Sequence, residues 1–363
     1  MRICLIGKNL TNLVLANILA NKKLYLDIYY TNSLISQKNH SPRTLAISNK
    51  NYDFLKQNIR KFNLSSWPSE SIKIYIEKNK TQELFEFKIN RKNNFFLIKY
   101  SEFYNFYMNK LKKNKYIKFI KLKNNYDNSF YKKNYNLIIN SELKNYITKK
   151  FFSKKIEKNY DSFAYTFIIF HKKIKNNVAM QIFTKKGPLA FLPLSSTQTS
   201  IVFSYKSLNK IQFKEIKKIL EKFNNKYVIT RYGKLEIFNL KFSMLRNYCH
   251  DNILSFGDLI HRVHPLAGQG FNMTIRDIKI LSNIIDEKIN LGLEIDNSVG
   301  KDFEKKSKHL NFIYGSGLDL IYKFFNLDDK LSNSLSDPLF KIFKKNNFLN
   351  KYATYFSDKG INI

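Results

Sequence analysis

The stretch Phe256-Gly-Asp-Leu-Ile-His-Arg-Val-His-Pro-Leu-Ala-Gly-Gln-Gly-Phe-Asn272 governs how this chain is read. It holds three of the eleven glycines, Gly257, Gly268 and Gly270, and leads into residues 273–285, whose apolar positions recur at helical spacing. Glycines just before a helix let a backbone approach a ligand closely and aim N–H groups and the helix dipole at an anion. Asp258, a short acid expected at a strand end, is suited to accept hydrogen bonds from sugar-like hydroxyls. Glycine content alone is equally compatible with an ordinary connection. The order of the residues is what separates the two readings.

At the start of the chain, residues 2–6 form a short apolar run ended by Gly7, and Leu13, Leu15, Ala16, Ile18 and Leu19 then follow a helical period. A second apolar run covers residues 24–30, so the chain opens with a βαβ unit, the usual start of a nucleotide-binding sheet. Residues 71–76 and 83–89 alternate as two strands about a Lys-Asn-Lys turn, and a helix carrying Phe103, Phe106, Tyr107 and Leu111 on one face comes next. Residues 116–121 and 135–139 read as strands returning to the first sheet. A β-rich stretch over about 163–206 and a helix near 212–223 precede the glycine-rich segment, and the chain is expected to be helical after residue 272. The Lys/Asn-rich segments 110–134 and 144–158 read as loops, and no internal repeat is visible.

The chain has 363 residues, with 63 Lys+Arg against 28 Asp+Glu and a formal charge of +35. Such a charge would normally indicate a polyanionic partner. Here 55 of the basic residues are Lys and eight are Arg, while Ala is as scarce as Arg, a bias that AT-rich codons produce whatever the protein does. With no Arg cluster and no recognition motif, nucleic acid is not an expected partner. The 44% apolar content, with 32 Phe and 23 Tyr, excludes wholesale disorder. Cys4 and Cys249 alone make neither a disulfide framework nor a four-ligand zinc site, and a cytoplasmic setting is the default. No apolar run approaches a membrane span of about 20 residues; the best, residues 163–170, is strand-sized. Asn9, Thr11, Asn12 and Asn17 interrupt what could pass for a signal peptide. His261 and His264 stand three apart without an evident third ligand, so no metal is expected.

The run Gly-Asp-x-x-His-x-x-His-Pro-Leu-Ala-Gly-Gln-Gly-Phe-Asn closely resembles the second flavin-contacting motif of the FAD-dependent aromatic hydroxylases, specifically the ubiquinone-biosynthesis hydroxylases of UbiH/UbiF type. The resemblance implies that Asp258 holds the ribityl chain of FAD. It also implies that Pro265, Gly268, Gln269, Gly270 and Asn272 face the pyrimidine end of the isoalloxazine, where a helix N-terminus would stabilise the charge of reduced flavin. Ser41-Pro-Arg-Thr-Leu-Ala-Ile-Ser resembles the segment whose Arg, here Arg43, reaches the cofactor. Residues 179–194 resemble the substrate-domain strands of the same enzymes, so Phe183, Pro188, Leu189, Phe191 and Pro193 would line an apolar ring pocket, unless they are simply sheet core.

The fold implied by the resemblance is α/β, of the para-hydroxybenzoate hydroxylase type. A Rossmann-like FAD-binding domain (1–70, 95–160 and 240–295) would be interleaved with an antiparallel β-sheet substrate domain (71–94 and 161–239), followed by a C-terminal helical region (296–363). The implied activity is a monooxygenase that uses FAD, NAD(P)H and O2 to hydroxylate the ring of a polyprenylated phenol in ubiquinone biosynthesis, through a flavin C4a-hydroperoxide. The flavin carries that chemistry, so no catalytic side chain is named. A quinone-biosynthesis protein complex is the implied partner. The basic amphipathic stretch 339–349 suits peripheral contact with the inner membrane face.

The first turn departs from the family. Its Gly-x-Gly-x-x-Gly stands here as Gly7-Lys-Asn9-Leu-Thr-Asn12, which adds side chains where a diphosphate should approach. The acid expected after the second strand for the adenosine ribose is absent, leaving Asn32 to bond a hydroxyl without charge. The middle Asp-Gly pair appears as Glu142-Leu143. A degenerate, non-catalytic scaffold is therefore the competing expectation.

Overall fold

Residues Arg2–Ile6 (β1) are buried from Ile3 onward and pair in parallel with both Tyr25–Tyr30 (β2) and Leu137–Asn140 (β9), the signature of a strand covered on both faces. A computed structural model describes residues 2–31, 41–59, 62–78, 81–88, 95–124, 134–265 and 268–327. Leu10–Asn21 (α1) is buried from Leu10 to Ala20, as expected of a helix that is apolar nearly all round and packed between the sheet and two other helices. The six-stranded sheet is completed by Ile117–Lys121 (β8) beside β2 and by Cys249–His250 (β16) and Ile253–Ser255 (β17) beside β9. β1, β9 and β17 run parallel, so their carboxyl ends open on one edge, where doubly wound sheets bind ligands.

A three-stranded sheet that periodicity did not reveal comprises Thr44–Ser48 (β3), Phe95–Lys99 (β7) and Trp67–Ser69 (β4), in the order β3-β7-β4. Pro68 is tolerated because β4 is an edge. Asn49–Gln57 (α2) follows β3, and Tyr100–Leu111 (α3) follows β7.

The nine-stranded sheet contains Ser71–Glu77 (β5), Thr81–Lys88 (β6), Lys155–His171 (β10), Val178–Thr184 (β11), Gly187–Pro193 (β12), Gln198–Lys206 (β13), Ile229–Tyr232 (β14), Glu236–Leu245 (β15) and His261–Arg262 (β18). All its pairings are antiparallel except β5 with β11. The register of β10 against β15 shifts between Asn159 and Phe163, where Asp161 takes a φ of +47°, so the long strand passes through a bulge. One face packs under the amphipathic helix Phe213–Phe223 (α5); the other meets the three-stranded sheet.

Segment 144–158, read as loop, instead forms Tyr146–Phe151 (α4) and the start of β10. Asn145 caps α4 by accepting from the Thr148 N–H at 2.8 Å, and tertiary pairing with β15 overrides the poor strand propensity of Lys and Asn. Gln269–Asn290 (α6) and Ser298–Leu327 (α7) match the expected helical end as far as residue 327. Asn32 and the stretch 339–349 lie outside the described residues.

Candidate functional site

The crevice at the carboxyl ends of β1, β9 and β17 is built from backbone that turns sharply. Gly7 has a φ of +112°, and a Cβ there would lie 2.8 Å from both Glu142 Oε1 and Ser141 Oγ, so only glycine fits. Gly257 (φ +65°) similarly brings the 3-10 turn Gly257–Leu259 against Thr11 of α1.

Asn9 and Asn12, expected to border the cofactor, turn inward. Asn9 caps α1, its Oδ1 accepting the Asn12 N–H at 3.1 Å, while its Nδ2 donates to Ser141 Oγ at 2.8 Å. Asn12 is fully buried and donates from Nδ2 to the Ile6 and Gly7 carbonyls, both at 2.9 Å. The space that glycines would leave open is thus filled by side chains bonded to the protein.

At the mouth of the crevice the structure brings together Arg43, Asp258, Glu142 and Tyr100. The Arg43 guanidinium lies 5.0 Å from the centre of the Tyr100 ring. Burial raises the Tyr100 phenol above its usual pKa; Arg43 and the nearby Leu10 N–H oppose this, and the charges of Asp258 and Glu142 add to it. Glu142 is itself pushed up to about 7 by burial. Sequence reasoning missed Tyr100, and its only signal was its place at the start of the helix after residues 95–99.

Two residues expected to face the flavin are spoken for elsewhere. Asn272 donates to the Ala46 carbonyl at 2.7 Å and accepts at 3.0 Å from both the Ser48 N–H and Asn51 Nδ2, which clasps α6 to β3 and α2. Gln269 is buried, its Oε1 accepting from Tyr314 of α7 at 2.6 Å. What α6 does offer the crevice is its N-terminus: Gly268 (φ +66°) caps it, and among the described residues a Cβ at Gly270 would meet nothing nearer than Val263 at 3.9 Å. Pro265 is half-buried just before it.

The ring-pocket residues divide between two faces. Phe183 belongs to the layer facing the three-stranded sheet, and Pro188 pairs with it across the strands. Leu189 and Phe191 are core beneath α5, and strand alternation puts Pro193 on their side, which corrects their expected place in a pocket. The residues facing inward are Ala190 and Leu192, which with Ala46, Ala179, Ile72 and Leu97 line a cavity of about 10 Å³. Three of the chain's eight alanines meet there, around a gap no larger than one water molecule.

The two histidines of the motif have different partners. His261 Nε2 bonds Asp277 Oδ2, whereas His264 stacks on Tyr322 at 4.0 Å with neither ring nitrogen bonded among the described residues, and burial holds it down to about 3, neutral at ordinary pH. An open groove of about 860 Å³ between β15–β16 and α7 shares no residue with the crevice. Its Cys249 thiol, donating to Glu304 at 3.3 Å, is pushed up to about 11 by burial and that carboxylate, so it stays protonated.

Residues 166–290 match the family model described as FAD binding domain. The chain is 26% identical over 197 residues to "Ubiquinone biosynthesis monooxygenase COQ6, mitochondrial" of Caenorhabditis elegans, the alignment covering 42% of this chain and 44% of that protein. To the "3-demethoxyubiquinol 3-hydroxylase" of Escherichia coli K12 it is 30% identical over 154 residues, covering 40% and 39%. The matched part is thus less than half the length of these relatives. In fold it is similar to PqsL, "a probable FAD-dependent monooxygenase from Pseudomonas aeruginosa", with a TM-score of 0.70 at 12% identity over 90% of this chain and 97% of that one. It is similar also to 2-methyl-3-hydroxypyridine-5-carboxylic acid oxygenase, with a TM-score of 0.70 at 9% identity over 92% and 93%. The architecture is that of the FAD-dependent aromatic monooxygenases, with helices at the end of the described chain.

Proposed function

Because the chain is a divergent relative of the FAD-dependent ubiquinone-biosynthesis monooxygenases, we propose that it inserts one atom of O2 into the ring of a polyprenylated phenol, with FAD as cofactor and NAD(P)H as reductant. The observation that carries this reading is the place of Ala46. It lies against Gly268 at the N-terminus of α6 and also lines the alanine-rich seam between the three-stranded and nine-stranded sheets, so the helix end that would face a flavin adjoins the small-residue face of the substrate sheet.

The flavin end of FAD fits the residues present. The α6 N-terminus offers backbone donors and a positive dipole to the pyrimidine edge, and the open flank at Gly270 leaves room beside it. Arg43 and Asp258 at the mouth offer a cation and an acceptor for the ribityl hydroxyls. Bound there, FAD would supply the activation of O2 with two electrons from NAD(P)H, one oxygen atom entering the ring and the other leaving as water. The protein's share is positional: a ring would enter by parting the small side chains of Ala46, Ala179 and Ala190, and Ile72, Leu97 and Leu192 would keep water from it. In this reading segments 1–70, 95–160 and 240–295 hold the cofactor, 71–94 and 161–239 the substrate, and 296–363, helical over α7 as far as residue 327, is an accessory region.

A polyprenyl tail places the reaction at a membrane face. Among the described residues no helix is long and apolar enough to cross a membrane, but α7 exposes Phe312, Ile313, Leu320 and Ile321 on a helix that also carries exposed Lys301 and Lys305, a pattern suited to peripheral contact. A second reading, a non-catalytic member of a quinone-biosynthesis assembly, is favoured by the way Asn9 and Asn12 fill the first turn.

The test is a visible absorption spectrum of the purified chain supplied with excess FAD, with mass spectrometry of quinone intermediates in a deletion strain. Bound flavin together with an accumulating precursor that lacks one ring hydroxyl supports the enzyme. A chain that takes up no flavin overturns that reading in favour of the assembly.

A further inference from the structure

The diphosphate of a dinucleotide normally lies on the first N–H groups of the helix after β1, where glycines leave it room. Here that place is filled by the chain itself. The Asn12 N–H is taken by Asn9 Oδ1, and the Leu10 N–H faces the Tyr100 hydroxyl. Asn9 Nδ2 spans the crevice to Ser141, donating to Oγ at 2.8 Å and to the carbonyl at 3.3 Å, and so joins the end of β9 to the cap of α1. Glu142 sets a carboxyl over Gly7. The nearest lysine of the turn, Lys8, has its Nζ 3.7 Å over the Tyr30 ring. A diphosphate would meet the Glu142 carboxyl and the Asn9 amide already bonded to Ser141. The flavin end, by contrast, keeps the α6 N-terminus, Gly270 and Arg43 accessible.

We propose that this crevice holds a flavin through its isoalloxazine and ribityl end alone, the Asn9–Ser141 bridge standing where the diphosphate would bind, so that FMN and riboflavin are accepted as well as FAD. The proposal rests on the flavin reading of the crevice and adds which part of the molecule is recognised. The adenosine diphosphate tail of FAD then lies outside the crevice and contributes no affinity.

The experiment is a titration of the full chain with FAD, FMN and riboflavin, monitored by flavin fluorescence and by the shift of the visible bands. Dissociation constants within threefold of one another are expected. Asn9→Gly combined with Asn12→Gly is expected to tighten FAD at least tenfold while leaving riboflavin unchanged. FAD binding tenfold or more tightly than riboflavin to the unaltered chain overturns the proposal and leaves the flavin reading standing. If none of the three flavins binds, to the unaltered chain or to the variant, the flavin reading falls and the proposal with it. The comparison among flavins on the unaltered chain decides the matter even where the double variant does not fold.

Discussion

His261 Nε2 lies 2.7 Å from Asp277 Oδ2, both side chains almost wholly buried, and Asn311 of α7 donates to the other oxygen of the same carboxylate at 3.0 Å. The Gly-Asp motif, α6 and α7 are thereby joined through one buried carboxylate. Removing one member of such a pair strands the other without water, which costs about 3 kcal/mol or more, whereas loss of a single neutral donor costs about 1 kcal/mol. Asp277→Ala is therefore expected to lower the melting temperature steeply and Asn311→Ala mildly, as differential scanning calorimetry would show. Equal small losses would refute the idea that the pair is a structural clasp.

Asn272 is the second such clasp. Its amide answers the Ala46 carbonyl and its oxygen the Ser48 N–H, so no other residue type matches both ends of the contact. Asn272→Asp sets a carboxylate against a carbonyl and should cost about 2–3 kcal/mol, with faster loss of bound flavin, because β3 and the α6 N-terminus separate. Chemical unfolding together with flavin release on dilution measures both effects. A variant of unchanged stability that nevertheless loses flavin would instead give Asn272 a direct role at the cofactor.

Ala190 faces a cavity of only about 10 Å³. Ala190→Leu fills the slot at an overpacking cost of about 1–3 kcal/mol. Ring hydroxylation should fall more than tenfold while flavin affinity stays within twofold. Substituting Leu189, which belongs to the core under α5, with Ala should instead destabilise the sheet and leave the ring specificity of the remaining enzyme unchanged. Product analysis on matched folded fractions separates the two outcomes.

His264 carries the pH dependence of the β18–α7 boundary. Burial holds its pKa down to about 3, against a modest pull upward from Asp319. The unfolded chain therefore binds a proton below about pH 6.5 that the folded chain refuses. Stability from this residue is full above that pH and declines as acid is added, by about 1.4 kcal/mol per pH unit at most. His264→Phe, which keeps a ring against Tyr322, should flatten the melting temperature between pH 6.5 and 4. An unchanged acid limb would sink the assignment.

Glu142 works in the opposite direction. Burial pushes its pKa up to about 7, so the folded state holds a proton that the unfolded state releases, and stability falls as pH rises from about 4.5 to 7. Glu142→Gln should remove this slope, by up to about 1.4 kcal/mol per pH unit before solvent screening reduces it. Denaturant midpoints measured at pH 5 and pH 8 give the comparison, and the difference between them should be smaller in the variant than in the parent chain.

Elements whose signals are local were legible in the amino-acid order. The opening βαβ unit follows from apolar runs broken at Gly7, and the 71–88 hairpin from a period of two about a polar turn. The 256–272 segment follows from glycines whose positive φ at Gly257 and Gly268 other residues rarely adopt. The roles of the site residues, by contrast, came only with tertiary assembly. Alternation along residues 187–193 shows that β12 has two faces but not which one meets α5 and which meets Ala46; that depends on α5, which joins the sheet from twenty residues further along the chain. An asparagine in sequence is equally a ligand contact, a cap or a clasp. Asn9 and Asn272 became a bridge and a clasp because Ser141 and Ser48 arrive within hydrogen-bond reach only when the sheets assemble, whereas Asn12 turns back on the Ile6 and Gly7 carbonyls of its own turn. A buried polar group takes a partner that folding brings to it, and for Asn9 and Asn272 that partner lies more than a hundred residues away, beyond the reach of local sequence signals.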